Sequence, residues 1–73
     1  MTTVYQINDN GEIKELATYS LSPKKAIKIA YLQFIRKNFN TWDYDKFNVN
    51  IKESERGYHV FYGDNSGLFT RTK

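Results

Sequence analysis

The residues able to do chemistry are few and scattered. His59 is the single histidine and the chain has no cysteine. Nucleophilic catalysis needs an activating base beside its nucleophile, and a histidine set mid-strand among aromatic neighbours reads as an ordinary structural or surface residue. Two carboxylate pairs, Asp43/Asp45 and Glu53/Glu55, are each separated by one residue. In an extended segment that spacing puts both members on one side, but neither pair sits in a recognised cation-binding loop, and solvated charge is the simpler reading. Gly63-Asp64-Asn65-Ser66-Gly67 invites comparison with a phosphate cradle. It lacks the Gly-Lys-Ser/Thr ending, and no helix follows it to supply an N-terminal dipole. It reads as a turn. No cofactor, metal site or catalytic constellation is expected, so the chain reads as a non-enzymatic binding module.

Three surfaces then compete. On a helix predicted over residues 23–38, Lys25, Lys28, Ile29, Leu32 and Arg36 lie opposite the apolar stripe. Ile29 and Leu32, three apart, are neighbours there. Either another element covers that side, or it is a contact patch with an apolar centre and a cationic rim suited to an acidic protein surface. Lys24, Lys25 and Lys28 occupy the first turns of the helix, where the macrodipole disfavours cations, and this favours a binding role slightly. The second surface is aromatic. Tyr58, Val60 and Tyr62 share one face of a strand and read as core or platform; Phe61, opposite with His59, is the better candidate for an exposed ring on which bases stack. No Lys-Gly-Phe-Gly-Phe ribonucleoprotein pattern accompanies it. The third is the segment Asn40-Thr41-Trp42-Asp43-Tyr44. Here Trp42 and Tyr44 either lock a loop onto the core, with polar tips in water, or form a binding loop.

The elements that position these residues follow from local pattern. Residues 2–7 read as a strand with Tyr5 and Ile7 on one face, and Asn8-Asp9-Asn10-Gly11 is a turn accepting positive φ. The return strand, 12–19, alternates imperfectly: Ile13, Ala17 and Tyr19 share a parity that Leu16 breaks, and a bulge near Glu15 would reconcile them. Ser22-Pro23 places an N-cap residue before proline at the first helical position. Beyond it Ile27, Ala30, Tyr31, Phe34 and Ile35 cluster at helical spacing. A third strand is predicted over 46–53, with Phe47, Val49 and Ile51 on one face. A fourth spans 58–62, and a short edge strand is predicted over 68–72. One helix across an antiparallel sheet buries both apolar faces. The expected fold is α+β, ββαββ with an optional fifth strand, in a single domain over 1–73.

Composition bounds the rest. A chain of 73 residues buries a smaller share of its surface than a larger domain. Disulfides are ruled out and a structural metal has almost no ligands, so packing must supply stability; six Tyr, five Phe and one Trp are suited to that. Eleven Lys and Arg against eight Asp and Glu leave a net charge of +3, compatible with a polyanion without requiring one. The N-terminal residues lack the basic start and apolar run of a secretory signal. The longest mostly apolar stretch, 26–35, is too short to cross a bilayer. A cytoplasmic protein with no membrane partner is expected, monomeric or paired about a two-fold axis through Ile29 and Leu32.

Ser22-Pro23-x-x-Ala26, Ala30-Tyr31, Asn40-Thr41-Trp42-Asp43-Tyr44 and Gly63-Asp64 together resemble a group of short uncharacterised proteins encoded by phages, prophages and other mobile elements. The resemblance spans about residues 22–64, and Asn-Thr-Trp-Asp-Tyr is its distinctive part. It carries no catalytic or binding residue; it implies an accessory protein that works by binding. The expectations are therefore a protein partner on the outer helix face, a nucleic acid on the aromatic strands, or inhibition of a host nuclease as an anti-defence role.

Overall fold

The structure, a computed structural model, describes residues 1–37 and 49–72. Five strands, β1 (Thr2–Ile7), β2 (Ile13–Tyr19), β3 (Lys52–Glu53), β4 (Tyr58–Phe61) and β5 (Gly67–Thr70), form one antiparallel sheet in the order β2-β1-β5-β4-β3. A helix, α1 (Pro23–Tyr31), crosses one face. This is the α+β architecture that the periodicities imply.

The β1–β2 hairpin closes through Asn8, whose Oδ1 accepts from the N–H groups of Asn10 at 3.0 Å and Glu12 at 2.9 Å. Gly11 takes φ +83°, a conformation open to glycine at little cost. Val4 pairs with Ala17 but Tyr5 pairs with Glu15, so Leu16 is the extra residue of a bulge. The bulge turns Leu16 toward the core, where it packs beside Tyr19, and it explains the broken alternation.

The helix buries Ala26, Ile27 and Ala30 against Val4, Val60 and Leu68. Full burial of a side chain such as Ile27 or Leu68 contributes roughly 1.5–3 kcal/mol. Ser22 stands at the N-cap in an extended conformation without a side-chain cap bond; its carbonyl accepts from Ala26 N–H at 2.8 Å, and proline removes one unsatisfied donor. Thr2 Oγ1 donates to Leu21 O at 2.9 Å and ties the approach to the helix back to β1. At the far end the helix widens into a π-helical turn, Leu32–Arg36, closed by the Lys37 N–H to Leu32 O bond at 3.2 Å, with Lys37 left-handed at φ 63°. Among the described residues no helix is long and apolar enough to cross a membrane.

Three element expectations need correction. The regular helix stops at Tyr31 rather than running to residue 38. Among the described residues of the third predicted strand only Lys52–Glu53 are extended in the sheet; Val49 and Ile51 still pack on the core, while residues 46–48 lie outside the described residues. The last strand is not an edge. β5 sits between β1 and β4, with Leu68 and Thr70 buried, because it supplies the ladder partners that join the N-terminal hairpin to the C-terminal one.

Candidate functional site

Strand residues alternate between faces. Val4, Gln6, Leu68, Thr70, Val60 and Tyr58 face the helix, and Gln6 Nε2 donates to Tyr62 Oη at 2.7 Å at the border of that layer. The residues between them face away, on a side to which no described helix packs.

Register places that second set in a row. Glu15 is opposite Tyr5, Tyr5 opposite Phe69, Phe69 opposite His59, and His59 opposite Lys52. Directly opposed residues on one face are in side-chain contact range, so three rings run across β1, β5 and β4, with an acid at one end and a cation at the other. Tyr5 and Phe69 stack with centroids 5.4 Å apart and planes 20° from parallel. The Arg71 guanidinium lies 4.6 Å from the Tyr5 centroid and 5.8 Å from that of Phe69, a cation–π arrangement. The neighbouring row is Ile13, Ile7, Gly67 and Phe61. Phe61 is 59% exposed and meets His59 at 5.3 Å with a 59° tilt. Gly67 makes room for it: a Cβ there would come within 2.7 Å of Phe61 Cδ1 and 2.6 Å of Val60 O.

An open trough of about 590 Å³ crosses this region, and Ile13, Arg56, His59, Phe69 and Arg71 are among the residues lining it. Its size falls within the roughly 300–1,000 Å³ of ligand sites. The turn that carries Arg56 is fixed by Ser54 N–H and Oγ, which donate to Gly57 O at 2.8 and 3.1 Å. Gly57 must be glycine-sized, because a Cβ would collide with the Thr70 backbone. Thr70 Oγ1, itself buried, accepts from Tyr58 N–H at 3.0 Å and donates to Thr72 O at 3.0 Å. Those bonds hold the end of β5 from which Arg71 projects. Among the described residues no group of three or more His, Asp or Glu could hold a metal ion.

The expected helix patch fares differently. Lys25 and Arg36 are exposed, Lys28 and Ile29 half-buried, and Leu32 completely buried. Leu32 lines, with Tyr31, Val49 and Val60, a crevice at the C-terminal end of the helix, so it cannot be the apolar centre of an exposed patch. Phe34, expected in the core, is 41% exposed. The π turn holds more residues than an α turn and shifts Phe34 off the apolar stripe, while Ile35 still packs on the core as expected. Trp42 and Tyr44 lie outside the described residues.

Phe61 stands where its parity put it. The sequence alone does not single out Tyr5, Phe69 and Arg71, since their convergence depends on pairing β1 with β5 across most of the chain. The available signal was that Tyr5 has the parity opposite to Val4. No protein-family model, curated protein or solved structure matches the chain.

Proposed function

We propose that this protein is a non-enzymatic module that binds single-stranded nucleic acid on the open face of its sheet. The observation that carries the reading is the ring row Tyr5–Phe69–His59, with exposed Phe61 beside it and the Arg71 guanidinium over its first two members. Bases offer π faces to aromatic and guanidinium planes, and each stacking contact contributes roughly 1–3 kcal/mol. Lys52 and Arg71 on the face, and Arg56 in the adjoining turn, supply cations for the phosphates, in a chain of net charge +3. Duplexes are disfavoured because their bases already stack on one another.

The alternative of a protein partner on the outer helix face is less favoured, because Leu32 is buried and half-buried Ile29 is left as the one apolar member among Lys25, Lys28 and Arg36. The test is fluorescence anisotropy with end-labelled single-stranded DNA, single-stranded RNA and duplex DNA at low salt. Single strands of either sugar should bind more tightly than duplex. For two or three neutralised phosphates, log affinity should fall against log salt with a slope of roughly −1.4 to −2. No binding of either single strand at low salt overturns the reading.

A further inference from the structure

We infer that the open face accommodates two adjacent nucleobases, one on the outer plane of the Arg71 guanidinium and the other on the Phe61 ring. This rests on the nucleic-acid reading and narrows it to a footprint. Tyr5 and Phe69 are half-buried and stacked on each other, and Arg71 covers them. They therefore act as the support over which the guanidinium sits, and Arg71, itself exposed, offers its outward side to a base. Holding the group in place beforehand removes ordering cost at binding.

Phe61 presents the second plane: it is 59% exposed and lies across Gly67, where no side chain lifts it from the sheet. His59 is half-buried between the two. The other residues described on this face, Thr3, Ile7, Ile13, Glu15, Thr18 and Lys52, have no π face.

Spacing sets how the bases sit. The guanidinium lies over the Tyr5 and Phe69 rings, and from these two positions to Phe61 is two residues along the strand direction and, respectively, two strands and one strand across. At about 3.3 Å per residue and 4.8 Å per strand this is roughly 8–12 Å. That is more than twice the ~3.4 Å rise per base in a stacked duplex strand. The two bases must be splayed apart from each other, each stacked on protein. A duplex cannot offer this without unpairing, so the geometry itself would select single strands.

The probes are end-labelled oligodeoxynucleotides of equal length built from abasic residues, carrying no, one, two or four adjacent adenines, with the all-adenine chain as reference. The second adenine should tighten binding about 5- to 150-fold, the span equivalent to one stacking contact. The third and fourth should add no more than about twofold. Arg71→Lys keeps the charge but loses the plane; it should reduce the two-adenine probe to the affinity of the one-adenine probe while leaving the salt slope unchanged. Affinity that climbs by similar factors through the fourth adenine overturns the two-base footprint, and so does affinity indifferent to adenines. A two-adenine affinity unaltered in Arg71→Lys overturns the role of Arg71. Failure of the all-adenine chain to bind at low salt overturns the parent reading, a result distinct from binding with the wrong footprint.

Discussion

Truncating Leu32 to alanine tests the course of the chain at the end of the helix. The side chain is fully buried, and substitutions of this kind cost about 2–5 kcal/mol, rising with the void left behind. Leu32 also borders a crevice of about 340 Å³, which the void left behind would join, so the full range of about 2–5 kcal/mol applies. Stabilities of about 0.05–0.15 kcal/mol per residue give a chain of this length about 4–11 kcal/mol in total. The substitution would thus remove a large fraction. At about 4–8 °C per kcal/mol for a domain of this size, the thermal midpoint should drop by at least about 8 °C. Had Leu32 been an outward residue of an uninterrupted helix, its loss would fall within about 0.5 kcal/mol. Circular dichroism melts with matched urea titrations separate the two. A midpoint lowered by less than about 3 °C would refute the burial of Leu32 and return it to the outer patch.

Two further outcomes concern the fold. Thr70→Val leaves the part-buried Tyr58 N–H without the Thr70 Oγ1 acceptor; an unsatisfied buried donor costs about 1–3 kcal/mol, so urea denaturation should register a loss at the lower end, about 1 kcal/mol. The Tyr19 hydroxyl, which donates to Gln33 Oε1 at 3.1 Å, is raised above its ordinary 10.0 by burial. A raised folded value means that its stabilising contribution is complete below about pH 10 and is lost as pH climbs through the folded value. The thermal midpoint should therefore decline above pH 10, and Tyr19→Phe should shallow that decline.

How far the chain could be read without coordinates depended on whether the determinant was local. The 8–11 turn, the Ser22-Pro23 helix start and the Leu16 bulge rest on neighbouring residues and were legible. So was the outward parity of His59 and Phe61. The central place of β5 was not, because Gly67-Leu68-Phe69-Thr70 looks like a frayed terminal strand until β1 and β4 are both seen to need a partner. The π turn has no composition signal in Leu32-Gln33-Phe34-Ile35-Arg36, and the outer helix face is partly buried because the chain around Val49 returns beside Leu32, a non-local contact. The candidate site was half legible for the same reason: Phe61 follows from parity, whereas Tyr5, Phe69 and Arg71 meet only through non-local pairing.

The most direct test of the sheet-face account is a ¹H–¹⁵N NMR titration of the uniformly labelled protein with unlabelled single-stranded oligoadenylate at low salt. The account predicts progressive shifts concentrated at Tyr5, His59, Phe61, Phe69 and Arg71, with Lys24, Lys25 and Lys28 on the opposite side unmoved. Shifts confined to the helix, or none at saturating oligonucleotide, would contradict it.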